Sequence, residues 1–143
     1  MKSEFKQQRD AEFYDACRKA IKESSGRILL RDIIKKAILS PASSYFLTER
    51  RIGDILRRHP AGDLCCCYVR HDYPKSGSKR LLATRLFERW MNLRAEHNAL
   101  SAEAAAKTFI AHEPAPRFYI SEARGINIYY AELHRRKTRN QTT

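Results

Sequence analysis

Pro41-Ala42-Ser43-Ser44-Tyr45-Phe46-Leu47-Thr48-Glu49-Arg50-Arg51 returns, without a gap, as Pro114-Ala115-Pro116-Arg117-Phe118-Tyr119-Ile120-Ser121-Glu122-Ala123-Arg124. The offset is constant at 73 residues (114 − 41). Pro, Ala, Glu and the final Arg are identical, and two aromatics, one aliphatic and one hydroxyl residue occupy matching positions. An internal period is read before any single motif, because it sets the architecture. Each copy reads as a helix-turn-helix junction with a long turn. Pro41 and Pro114 end the preceding segment, since proline lacks an N–H and clashes with a helical turn before it. Tyr45-Phe46 and Phe118-Tyr119 are too apolar for a free loop and are expected to anchor it in extended form on the core. Thr48 and Ser121 are N-cap residues, each followed by a Glu suited to the positive end of a helix.

Working outward, the segment before the first copy predicts two helices. Phe13, Cys17, Ala20 and Ile21, with Tyr14 beside them, recur at helical spacing between about Arg9 and Ser24, and Ser24-Ser25-Gly26 ends that helix. Leu30, Ile33, Ile34, Ala37 and Ile38 give an unbroken apolar stripe between about Leu29 and Leu39, with Lys35 and Lys36 off it. A third helix, Glu49 to Arg58, would bury Ile52, Ile55 and Leu56. Residues 59–78 are punctuated by Pro60, Gly62, Pro74 and Gly77 and read as a connector. Within it, Leu64 to Val69 would be a strand or an extended packed strip, followed by a polar, basic tip.

The plan then repeats. A helix from about Lys79 to His97 carries Leu82, Leu86, Phe87, Trp90, Met91 and Leu93. Ser101 caps a short helix with Ala102, Ala105, Ala106, Phe109 and Ile110 in phase. The last helix, Glu122 to about Lys137, would bury Ile126, Tyr129, Tyr130 and Leu133. The expected fold is all-α: two pseudo-repeated three-helix, helix-turn-helix-like units, 1–60 and 79–143, joined by the connector 61–78. A three-helix unit of this size is marginal alone. The two are therefore expected to share a core, with Tyr14, Phe87, Trp90 and the Cys65–Val69 strip at the seam.

Charge narrows the function. The 143 residues carry 28 Lys and Arg against 16 Asp and Glu, a formal +12. The excess is local: 8 basic against 3 acidic groups in residues 27–58, and 5 against 1 in 124–143. Such a surplus on a small folded chain points to a polyanionic partner. No run of about 18 apolar residues predicts a membrane span, and no signal-peptide core is present at the N-terminus. Three adjacent cysteines, Cys65, Cys66 and Cys67, do not form a secreted disulfide framework, so a cytoplasmic setting is expected.

Chemistry-bearing patterns are weak. Cys67 and His71 have C-x3-H spacing, with His59 upstream, but adjacent cysteines cannot all point at one ion, so no metal site is expected. His112 and Glu113 adjoin in a turn and read as a solvated pair. There is no Gly-rich phosphate loop, no H-E-x-x-H and no nucleophile elbow; neither a catalytic residue nor a cofactor is expected, and the chain reads as non-enzymatic. Nucleic-acid contacts fall on Arg50, Arg51, Arg57 and Arg58 in the first copy, and on Arg124, Asn127, Arg135 and Arg136 in the second. Arg117 in the turn and Lys137 in the basic end join them, part of that end also suiting the helix dipole. Arg and Asn match guanine and adenine edges bidentately, and a recognition helix places such residues in its first turns.

The doubled P-A-x-x-aromatic-aromatic-aliphatic-[ST]-E motif resembles that of a group of small basic uncharacterised proteins of gut anaerobes, their mobile elements and phages. The resemblance covers both copies and the alternation of helices. It implies a genomic setting in which proteins assist replication, integration, reverse transcription or packaging. The reading is a duplex-DNA-binding regulator or accessory factor. One alternative is a basic subunit for structured RNA or a nucleic-acid enzyme, using Tyr68, Tyr73 and the basic tail. Another is a protein-interaction or phage structural module whose basic surface meets an acidic protein; a protein partner or a homo-oligomer is open on the sequence.

Overall fold

The computed structural model describes residues 4–24, 26, 28–58 and 77–141. Among the described residues the α-helices are six: α1 (Glu4–Glu23), α2 (Leu30–Ile38), α3 (Glu49–Arg58), α4 (Gly77–Glu96), α5 (Ala102–Thr108) and α6 (Glu122–Gln141). A 3-10 turn, Ile110–His112, follows α5. Among the described residues there is no strand, and the all-helical class stands. Most of the connector, with Leu64–Val69, His59, His71, Tyr68 and Tyr73, lies outside the described residues. Gly77 and Ser78, expected to close the connector, instead begin α4.

The helices group in an order that the chain does not follow. One compact unit is Met1–Phe46 with Pro114–Thr143; the other is Leu47–Glu113. In the first, α1, α2 and α6 pack on one another; in the second, α3 packs on α5 and α4. Each copy of the motif therefore leads its third helix out of the unit that its first two helices belong to. This division differs from the sequential units 1–60 and 79–143. The reason lies in the turn. Residues 39–48 separate α2 from α3, and from Tyr45 to Thr48 they have neither helix nor turn structure. A connection of this length, with no helical or turn hydrogen bonding from Tyr45 to Thr48, does not force the helix it leads into back onto the helix it leaves.

The two motif copies cross in the first unit. Ala42 and Ala115 form an antiparallel bridge in which each N–H donates to the other's carbonyl at 3.0 Å. The first aromatic of each copy then stacks on the second aromatic of the other: Tyr45 on Tyr119 (centroids 6.0 Å apart) and Phe46 on Phe118 (6.2 Å). This reciprocity has the form of an isologous contact, here made within one chain. Phe118 is 2% exposed, meets Phe13 edge-on at 5.4 Å, and donates its N–H to the Ile38 carbonyl at 2.9 Å. The aromatics are anchors, as the sequence suggested, but Phe46 departs from the extended form expected of it. Phe46 has φ of 56°, a left-handed conformation uncommon for a bulky residue. Its N–H donates to Ser44 Oγ at 3.0 Å, and its ring is held by the Phe118 stack.

The first unit is closed by Phe13, Tyr14, Cys17 and Ala20 of α1 and by Ile33, Ile34, Ala37 and Ile38 of α2, all buried. Burial pushes the Cys17 thiol up to about 12, which leaves it an inert core group. On α6 the buried face is not the expected one. Gly125, Ile128 and Glu132 face inward, Ile126, Tyr129 and Leu133 are half-buried, and Tyr130 is 55% exposed. Close approach decides the rotation: a Cβ on Gly125 would lie 2.9 Å from Ile34 Cγ2 and 3.1 Å from Phe13 Cζ.

Gly53 of α3 is also buried, but a Cβ there would meet only the tip of Arg57, at 3.4 Å. Opposite outcomes are therefore expected for two identical substitutions. Gly53→Ala should stabilise by about 0.5–1 kcal/mol through helix propensity. Gly125→Ala should destabilise by about 1–3 kcal/mol through overpacking, despite the same propensity advantage. Urea unfolding of both variants checks this, and two shifts of equal sign would contradict the packing described.

The second unit buries Ile52 and Leu56 of α3, Ala83, Leu86 and Leu93 of α4, and Ala102, Ala105, Ala106 and Ile110. Ile55, expected in the buried face of α3, is half-buried, and Gly53 takes that place. Trp90 is half-buried beside Phe87 and donates its indole N–H to the Leu100 carbonyl at 2.9 Å. Arg89 grips Glu113 through two bonds of 2.8 and 2.7 Å, holding that carboxyl below its usual range. Glu113 is therefore a brace to α4, not the solvated neighbour of His112 that the sequence suggested.

Candidate nucleic-acid interface

The two capped helix starts are built alike. In the second unit, Thr48 Oγ1 accepts the Arg51 N–H at 3.1 Å. In the first, Ser121 Oγ accepts the Arg124 N–H at 3.1 Å. Both hydroxyls do what an N-cap does, satisfying an amide that has no partner inside the helix. Arg51 and Arg124 thus occupy the same helical position, third from the cap. Arg50, Arg51, Arg124 and Asn127 are exposed, and none has an ion-pair partner among the described residues. Arg50 lines an open groove with Glu49, Gly53, Arg57, Glu103 and Lys107. Lys137, further along α6, is also exposed.

The remaining arginines singled out by the sequence are occupied. Arg57 pairs with Asp54 on its own helix and with Glu103 of α5. Arg58 is exposed at the end of α3 and has interactions of its own. Arg117 is half-buried, donates from Nε to the Phe118 carbonyl at 3.2 Å, and lies 5.5 Å over the Tyr119 ring. Arg135 reaches back to Glu132 with Nη2 at 2.6 Å. Arg136 lies 4.2 Å over the Tyr14 ring, 3.1 Å from Asp15 and 3.6 Å from Glu132. Glu132 is only 7% exposed, so these two arginines neutralise a carboxylate that α6 takes into the core.

No protein-family model, no curated protein and no solved structure matches the chain.

Other chemistry is sparse. Among the described residues, no three His, Cys, Asp or Glu side chains come together as a metal-binding group. Cys65, Cys66, Cys67, His59 and His71 lie outside those residues. No described helix is long and apolar enough to cross a membrane.

Sequence reasoning passed over two cations that the tertiary structure brings to the start of α6. Arg31 and Lys35 lie one turn apart on the exposed side of α2, and both approach Glu122, Arg31 Nε at 3.8 Å and Lys35 Nζ at 4.0 Å. The local charge count over residues 27–58 includes them. Nothing in the chain order places them beside a helix that begins at residue 122.

Proposed function

We propose that this chain is a non-enzymatic, duplex-DNA-binding protein, a regulator or accessory factor. The observation that carries the reading is the pair of equivalent, capped helix starts with exposed arginines lacking ion-pair partners among the described residues, on a chain of net charge +12. Backbone phosphates supply most of the affinity of such a surface, and first-turn arginines on a groove-docking helix supply base contacts. In this reading the chain consists of two pseudo-repeated helix-turn-helix-like units that have exchanged their third helices. Arg50, Arg51, Arg124, Asn127 and Lys137 face the nucleic acid. Arg57, Arg117, Arg135 and Arg136 hold the fold. No cofactor takes part. The resemblance of the doubled motif adds a mobile element or phage as the setting, with the cytoplasm as the compartment.

The test is fluorescence anisotropy of the purified protein with duplex DNA, single-stranded DNA and structured RNA across a salt series. Duplex binding should weaken steeply with salt, the log–log slope changing by about 0.9 for each phosphate contact. Arg50→Ala with Arg51→Ala, and separately Arg124→Ala with Asn127→Ala, should each weaken duplex binding by about 5-fold or more, because one bidentate pairing with a base edge is worth about 1–3 kcal/mol. Circular dichroism should be unchanged. Variants that bind as the parent does would remove α3 and α6 from the interface. Preference for RNA in competition would replace duplex DNA by structured RNA as the ligand.

A further inference from the structure

We propose that Glu122 is a counter-ion that DNA phosphate must displace, and that Arg31 and Lys35 of α2 are the phosphate contacts it covers. This rests on the duplex-binding reading above.

Two cations of α2, Arg31 and Lys35, reach the start of α6, where Arg124 is exposed in the first turn. The side chains of Arg31 and Lys35 are 69% and 46% exposed, so both reach solvent beside Arg124's helix. Two amides at the start of α6 are already taken. Ser121 Oγ takes the Arg124 N–H and the Ser121 carbonyl takes the Gly125 N–H. The site consists of side chains. A single carboxylate, Glu122, 48% exposed, sits between Arg31 and Lys35 and binds each loosely, at 3.8 and 4.0 Å. Asp32, exposed on α2, is the next residue around that helix and pairs with neither in this geometry.

Long pairs between half-exposed groups contribute little, about 0–1 kcal/mol, and open readily. A phosphate oxygen, by contrast, can accept charge-assisted bonds from both cations at once, and its arrival releases condensed counter-ions. Glu122 therefore opposes the approach of any anion to this patch. Its removal should strengthen binding by a modest factor. Glu103 stands in a comparable relation to Arg57 in the second unit, but more tightly, through a direct pair in which Arg57 also binds Asp54.

The experiment is the same salt-series anisotropy with a random duplex, comparing the parent, Glu122→Gln, Arg31→Ala with Lys35→Ala, and the three changes together. Glu96→Gln serves as a control of equal charge change at an exposed position on α4. Glu122→Gln should tighten duplex binding by about 3–10-fold at low salt and steepen the slope by about 1–2, one or two further phosphates being engaged. The double substitution should weaken binding, and the triple should not show the tightening of Glu122→Gln. Two results would overturn the proposal and leave the duplex-binding reading standing. One is a parent that binds duplex DNA while Glu122→Gln and the double variant bind identically to it. The other is a Glu96→Gln control that tightens binding as much as Glu122→Gln. A parent with no affinity for duplex DNA would overturn both.

Discussion

Cut between residues 70 and 71, the chain is expected to give two fragments that do not fold separately and that assemble when mixed. The first fragment holds α1, α2 and α3, the second α4, α5 and α6. Each lacks the helix that completes its own two-helix core and carries a helix whose partners are on the other fragment. An isolated helix of 9–20 residues is marginal in water, and a two-helix pair of this size cannot bury enough apolar surface to offset its ordering entropy. Each fragment alone should show weak helical circular dichroism and no cooperative thermal transition. An equimolar mixture should recover most of the intact chain's helicity as a 1:1 complex in native mass spectrometry. A monomeric fragment that melts cooperatively would refute the assignment of α3 and α6 to their units.

The second large effect is expected at Phe118. Its ring is almost wholly buried, edge-on to Phe13 and stacked on Phe46, at the point where the two motif copies cross. Phe118→Ala removes a core ring where backbone bonds on both sides, Ala42 to Ala115 and Phe118 N–H to the Ile38 carbonyl, hinder collapse into the void. Truncations of this kind cost about 3–5 kcal/mol, a large share of the about 5–15 kcal/mol that holds a typical domain. Phe118→Leu keeps part of the volume and should cost less, about 1–2 kcal/mol. Equilibrium urea unfolding followed by circular dichroism reads both. A destabilisation below about 1 kcal/mol for Phe118→Ala, against the range for such truncations, would mean that the crossing is not what fixes α6 in the first unit.

Several features of this molecule are legible in the sequence because they are local. The stripe Ile33, Ile34, Ala37 and Ile38 and the alanines Ala102, Ala105 and Ala106 are buried as their periodicity requires. Thr48, Ser101 and Ser121 cap helices because a hydroxyl before a helix reaches an amide two or three residues on, whatever the rest of the chain does. The aromatic pairs are anchors because rings of that size leave water wherever a surface is offered. The face that α6 buries was not legible. Periodicity pointed to Tyr130, and the structure turns it outward, because Gly125 permits an approach to Ile34 and Phe13 that no pattern of apolar residues encodes. Nor could spacing show that Arg135 and Arg136 neutralise the buried Glu132, since a charged residue is normally assigned to the surface.

The sequence by itself determined the helical periodicity, the hydroxyl caps of α3, α5 and α6 and the aromatic turns, each from residues within a few positions of one another, and with them a strong basic surplus. Only the tertiary structure decided which helix completes which core. A long turn leaves its helix free to join either pair, and the choice falls to burial between residues far apart in the chain, such as Phe13 with Phe118 and Ile34 with Gly125. The same choice brings Arg31 and Lys35 to Glu122 and, on the reading proposed here, completes a phosphate-binding surface.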